Sequence, residues 1–196
     1  IDLNKVSGLC IMKNIIHVPN GSRYEENGWI RINIKGNPAQ RGQAYGRLIR
    51  DLMPDIVKAM SFVMKDDYGV ELKTMEGLIY DIFSPIVTNN YPELMEEIKA
   101  IAKGVNSSNA DMKFIFFWNC YYSFSYIFGK LPNIISSDPD LSSKYGHVFP
   151  NGVTGGASEG GARDKCSAFI ALGDWTADGK IVCAHNTFDN FIDSQF

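Results

Sequence analysis

Apolar positions along the chain follow two rhythms. Short runs bounded by turn residues mark its two ends, and a recurrence every three or four residues fills the stretch between them. Near the start, Asn14–Val18 and Trp29–Ile34 are β-compatible, with Asn20-Gly21-Ser22 and Glu26-Asn27-Gly28 supplying turns beside them. After Pro38-Ala39-Gln40-Arg41-Gly42, the residues Tyr45, Leu48, Ile49, Leu52, Ile56 and Met60 lie at helical spacing, with Pro54 set to kink or restart the helix. A second helix is predicted over residues 71–82, with Pro85 beyond it. A third starts at Pro92 and stops at Gly104. It sets Leu94, Met95, Ile98, Ile101 and Ala102 against Glu93, Glu96, Glu97 and Lys99. A fourth follows Asn109 with Asp111 in its first turn. Ile115, Phe116, Trp118, Cys120, Tyr121 and Tyr122 make it apolar nearly all round, which is the signature of a buried helix.

From Leu131 to Asp164 the periodicity lapses. Pro, Gly, Ser, Asp and Asn dominate, and residues 152–161 contain five glycines, so this stretch reads as a linker or exposed loop. It ends at Arg163-Asp164-Lys165, directly before Cys166. Strand patterns then return: Ser167–Leu172, a turn at Thr176-Ala177-Asp178-Gly179, and Lys180–His185, together a β-hairpin headed by the cysteine. The organisation expected is α+β, in three parts: a mainly helical N-terminal region over 1–130, a linker over 131–165, and the start of a further domain over 166–196.

Composition narrows the function classes. Hydrophobic residues make up 45% and charged residues 21% of 196, which is the balance of a folded chain. The net charge of −3, without a basic block, argues against a nucleic-acid partner. The aromatic stretch 114–128 is interrupted by Asn119, Ser123 and Ser125, so no membrane span is expected. The first residue is Ile1, and a removed leader or a cut chain are the two readings. The location expected is secreted, periplasmic or lysosomal-like, with the cytoplasm as the alternative. Asn20-Gly21-Ser22 and Asn106-Ser107-Ser108 are glycosylation triplets. Of the four cysteines, none forms a CxxC pair, and no metal or cofactor is called for. Cys10 and Cys120 are either a disulfide or two buried apolar thiols. Cys183, inside the second strand of the hairpin, is expected in a core.

The candidate chemistry sits in the hairpin. A polar linker delivers Cys166 to the first position of a strand, and the antiparallel partner returns Ala184-His185-Asn186-Thr187-Phe188-Asp189 to the same end. Cleavage between Lys165 and Cys166 would leave a free α-amine on the nucleophile itself. Such an amine has a reference pKa near ~8 and can take the thiol proton at neutral pH. The Asn186 side-chain amide is a candidate oxyanion donor, a role worth roughly 3–4 kcal/mol. The plainer reading of Cys166 is an ordinary strand cysteine, of Asn186 a turn residue, and of His185 a partly exposed strand-end histidine.

Four segments, Arg41-Gly-Gln-Ala-Tyr-Gly46, Cys166-Ser-Ala-Phe169, Asp178-Gly-Lys180 and Ala184-His-Asn-Thr-Phe188, resemble the acyltransferase/hydrolase family of peptidase family C45 and the related phospholipase B-like proteins. The likeness spans about 36–192, and the Cys and His-Asn blocks are its specific part. It implies a four-layer αββα N-terminal-nucleophile hydrolase fold. Here that means a helical pro-region followed by the first hairpin of the catalytic domain, whose remaining strands lie outside this sequence or in a second chain. It implies autoproteolysis before Cys166 and a small substrate bearing an amide- or ester-linked acyl group. Cys166 carries over as nucleophile, with Asn186, His185 and Asp189 as the polar groups near it and with Phe188 and Arg41 on the substrate side. Where the broader group has Arg-Asn-x-Asp on the second strand, His185 stands for the Arg, Phe188 for the Asp, and Asp189 comes one position late.

Two other readings compete. The helical first 130 residues suit a non-catalytic pro-domain or binding module that masks a separate catalytic subunit. Gly156-Ala157-Ser158-Glu159-Gly160 has the form of a nucleophile elbow on Ser158, but it lacks the strand before and the helix after that this motif needs. For Arg41, Gly42 and Gly46, helix capping and close packing compete with a role near a site. For the aromatic band at 114–128, an ordinary core competes with an acyl pocket.

Overall fold

In the computed structural model, residues 14–153 and 166–187 are described. The chain divides into two compact units, one of residues 1–57 and 80–118, the other of 58–79 and 119–196. Among the described residues the fold is mixed α+β, with helices and two small antiparallel sheets.

The first unit begins with a three-stranded sheet in the order β1 (Ile16–Val18), β2 (Gly21–Glu26), β3 (Trp29–Ile34). β2 is not predicted by the local pattern, in which Asn20-Gly21-Ser22 and Glu26-Asn27-Gly28 mark turns only. The turning residues are Asn20, at φ 65°, and Asn27 with Gly28, at φ 53° and 79°. Six residues of strand fit between them. One face of this sheet meets helix α1 (Pro38–Leu48). Gly21 fits there because a Cβ would lie 3.0 Å from the Leu48 Cδ1 and 3.2 Å from the Ala44 Cβ. From the same face the buried Arg23 donates to the Leu48 carbonyl (2.8 Å) and to the Asp51 carboxylate (2.6 Å). A buried cation needs such partners, so Arg23 bolts β2 to the end of α1.

Helix α1 starts where its sequence dictates. Asn37 caps it, accepting from the Gln40 N–H (2.9 Å), while the Gln40 side chain accepts from the Asn37 N–H (3.1 Å), and Pro38 takes the first position. It crosses α4 (Pro92–Val105) through glycines. A Cβ at Gly42 would collide with the Glu97 carbonyl, one at Gly46 with the Ile101 carbonyl, and one at Gly104 would come within 2.5 Å of the Gln43 carbonyl. Gly104, read from the sequence as the helix stop, lies inside α4 and lets the two backbones approach. The stop is Asn106, left-handed at φ 52°, ψ 54°. Arg41 ties the same pair of helices, its guanidinium 2.6 Å from the Glu97 carboxylate and 2.9 Å from the Gly36 carbonyl.

Helix α2 (Met53–Asp66) restarts after α1 with Pro54 in its first turn. Helix α3 (Leu72–Asn90) runs past the expected end, with the exposed Pro85 inside it. An interior proline removes one backbone bond and bends a helix without always ending it. Helix α5 (Met112–Ser125) is capped by Asp111, whose Oδ1 accepts from the Lys113 N–H (2.9 Å) and the Phe114 N–H (3.1 Å). Four consecutive residues, Phe114 to Phe117, are fully buried, but Tyr122 is 57% exposed, so the expectation of a buried helix holds in part only.

The expected linker is partly helical. A 3-10 turn at Phe128–Lys130 leads into α6 (Leu131–Ser137), and α7 (Pro139–Tyr145) follows. Pro132 and Pro139 sit in first turns, where a proline starts a helix, and Asp138 caps α7 by accepting from the N–H groups of Asp140 (2.8 Å) and Leu141 (3.0 Å). Leu131 and Ile135 are buried, and Phe128 meets Tyr68 and Phe149 edge-on at 4.6 and 5.6 Å. These few apolar anchors turn a Ser- and Pro-rich segment into packed structure.

The second sheet is the hairpin β4 (Cys166–Gly173) with β5 (Gly179–Thr187). Gly173 and Gly179 take φ 60° and 72°, and between them the Thr176 hydroxyl reaches both the Gly173 (3.1 Å) and Lys180 (2.9 Å) carbonyls. No helix among the described residues is long and apolar enough to cross a membrane.

Candidate active site

Cys166 opens β4, and its thiol is exposed. Its position follows from the hairpin register: Cys166 pairs with Thr187, Ser167 with Asn186, and Ala168 with His185. Side chains alternate between the faces of a strand, and directly paired residues share one. Cys166, Ala168, Ile170, Cys183 and His185 therefore stand on one face. Ser167, Phe169, Ala171, Val182, Ala184 and Asn186 stand on the other.

This register separates the expected trio. His185 is the diagonal neighbour of Cys166 on the same face, a spacing of roughly 7 Å that an imidazole can bridge. Asn186 emerges on the opposite face beside Ser167. Its amide must reach round the end of the strand to meet a carbonyl held at the Cys166 sulfur. Ala168, which the sequence reading did not single out, is the small residue between the nucleophile and Ile170. Its signal was present in the Cys-Ser-Ala spacing but meant nothing without the pairing partner.

Arg41 belongs to the first unit, where Glu97 and the Gly36 carbonyl occupy its guanidinium. The hydrogen bond it donates to the Glu97 carboxylate is the main reason its pKa is raised above the ordinary arginine value. Its visible task is to join α1 to α4. Lys165, Phe188, Asp189, Ser158 and Cys10 lie outside the described residues. Cys120 is a free, half-buried thiol, the second of the two readings for it, and burial pushes its pKa up to about 11. Cys183, expected in a core, is exposed, because nothing among the described residues covers its face of the hairpin. Among the described residues no group of three or more His, Cys, Asp or Glu could hold a metal ion.

The hairpin's apolar side chains are open to solvent on both faces. Phe169, Ile170, Leu172, Trp175, Ile181 and Val182 are each about half exposed or more, with Trp175 at 89%. The site is thus an accessible thiol at the end of a sheet fragment, with one histidine beside it and an apolar floor running away from it. Compared with known proteins, the chain matches no family model, no curated protein and no solved structure, so its functional reading rests on this geometry and on the residues themselves.

Proposed function

We propose that this chain belongs to a self-processing cysteine hydrolase or acyltransferase with Cys166 as its N-terminal nucleophile, acting on an amide- or ester-linked acyl group. The observation that carries this reading is Cys166 itself: an exposed thiol at the first position of a strand whose antiparallel partner ends beside it with His185 on the same face. In the proposed maturation the thiol attacks the carbonyl of residue 165, the peptide C–N bond breaks to free the α-amine of Cys166 as the thioester forms, and water then hydrolyses the thioester to the carboxylate of residue 165 and the free thiol. In turnover that amine accepts the thiol proton as sulfur attacks the acyl carbonyl. It then returns the proton to the departing amine or alcohol, and water or an acceptor amine resolves the thioester. His185 is the second proton carrier on this face, and no cofactor is needed. The apolar floor of Ala168 and Ile170 suits the acyl side of a substrate.

Further strands and covering layers, from a second chain or from sequence beyond this one, complete the sheet in this reading. Both faces of the hairpin are apolar, and two strands alone are marginal in water. The same exposure supports a second reading, a pro-domain or binding module that docks on a separate catalytic subunit.

The test is intact mass and N-terminal sequencing of the full-length protein beside its Cys166→Ala variant, followed by an acyl-substrate assay. The wild type is expected to yield a fragment beginning Cys-Ser-Ala-Phe and the variant to stay whole, with turnover reduced about 10⁴-fold or more. A variant that still turns over acyl substrates would sink the nucleophile assignment. A wild type that stays whole but captures a partner chain through the hairpin would move the binding-module reading ahead.

A further inference from the structure

The N-terminal sheet carries a donor-lined cleft that the chemistry of Cys166 does not use. On the face turned away from α1, His17, Ser22 and Asn33 form one row across the three strands, paired His17 to Ser22 and Ser22 to Asn33. The ladder continues where the Lys35 N–H donates to the Asn20 carbonyl at 3.0 Å, so Asn20 and Lys35 form the next row on that face. Between these rows Val18, Gly21 and Ile34 turn toward α1, which leaves bare backbone as the floor. The result is a cleft of about 410 Å³ lined by these eight residues.

Its lining contains no carboxylate. It offers the Lys35 ammonium, the Ser22 hydroxyl, the Asn20 and Asn33 amides and a ring N–H of His17. None of these five side chains has a hydrogen bond or ion pair among the described residues. A lysine charge beside hydroxyl, amide and imidazole groups, with no carboxylate opposing it, matches an anionic ligand. The two rows are about 7 Å apart, two strand residues. A phosphate group carries up to two negative charges where a carboxylate carries one, so it gains more from the lysine charge.

We propose that this cleft binds a phosphate group, with Lys35 supplying the charge and Ser22, Asn20, Asn33 and His17 the directed donors. The site does not depend on the reading of Cys166. The phosphate can be inorganic or the head of a phosphomonoester, and the cleft has room for either.

The test is a titration of the ¹⁵N-labelled full chain, followed by NMR, with inorganic phosphate, glycerol 3-phosphate and acetate in turn. It is repeated on Lys35→Ala, Ser22→Ala and Arg31→Ala. Arg31 stands on the same face and leans on Glu26 at 3.7 Å, so it serves as the charge control. Saturable shifts confined to residues 17–35 are expected, with acetate the weakest ligand. Lys35→Ala is expected to weaken phosphate at least about tenfold, Ser22→Ala less, and Arg31→Ala not at all. Tighter binding of the ester than of free phosphate would name a phosphorylated metabolite as the source, and the reverse order inorganic phosphate. Shifts that never saturate, that spread over the chain, or that persist unchanged in Lys35→Ala would overturn the site.

Discussion

The two antiparallel sheets of this protein are similar in size and opposite in design. In β1–β3, Val18, Gly21, Arg23 and Ile34 share the face that meets α1, while the other face carries His17, Ser22, Asn33 and Lys35. That alternation is what a sheet with one dry and one wet side needs. In β4–β5 both faces are apolar: Ile170 and Cys183 on one, Phe169 and Val182 on the other, all exposed. Strands apolar on both faces belong inside a sheet covered on both sides. The first sheet has α1 against part of its apolar face, where Ile16, Ile30 and Ile34 remain 46%, 42% and 36% exposed, and the second has no such helix on either face among the described residues. The candidate nucleophile sits in the second, so access to Cys166 depends on whatever covers it.

Removal of apolar bulk separates the two kinds of region most strongly. Phe114→Ala, in the fully buried run of α5, is expected to cost about 3–5 kcal/mol in chemical denaturation. Ile170→Ala, at 65% exposure in the hairpin, is expected to cost under about 0.5 kcal/mol in the chain alone. A large cost at Ile170 would mean the hairpin face is already covered in solution. Next in size is the contrast between the two faces at the site. Loss of the His185 side chain is expected to lower kcat about 10²-fold, whereas Asn186→Ala is expected to stay within about tenfold. The reverse order in steady-state kinetics would mean that the Asn186 amide does reach round the strand end to the oxyanion.

Thiol labelling compares the regions more gently. Cys120, with its pKa pushed up to about 11 by burial, is expected to react with iodoacetamide far more slowly at pH 8 than the exposed Cys183. Its folded-state pKa lies above the unfolded value, so the folded chain holds this proton more tightly. Its contribution to stability is complete below about pH 9 and is lost as pH rises toward 11. Unfolding curves that do not weaken over that range in a Cys120→Ser comparison would contradict this. The smallest effect is expected at Arg41→Met: a slight lowering of the unfolding midpoint from loss of the pair with Glu97, and no change in KM. A raised KM would restore Arg41 to the substrate side.

Much of the fold was legible along the chain. Trp29–Ile34, the restart at Pro54 and the start at Pro92 are local events, decided by residues within a turn of each other, whereas Asp111, expected in the first turn of α5, caps it instead. What was misread depended on distant partners. β2 was hidden because the Asn-Gly turns on either side of it dominate the local pattern. Residues 131–145 looked like a linker until Leu131 and Ile135 found buried places. Gly104 looked like a stop because its reason, the Gln43 carbonyl against it, lies about sixty positions away in the chain.

The helical periodicity, the proline starts and the hairpin headed by Cys166 follow from local chemistry, because each depends on neighbours along the chain. Only the tertiary structure decided that Arg41, Gly42 and Gly46 serve a helix crossing, that His185 and not the Asn186 side chain shares the face of Cys166, and that the hairpin's apolar faces stand open. Those three are matters of register and of contact between segments far apart in sequence. A one-residue difference in pairing would reverse every face, and no local pattern carries that information.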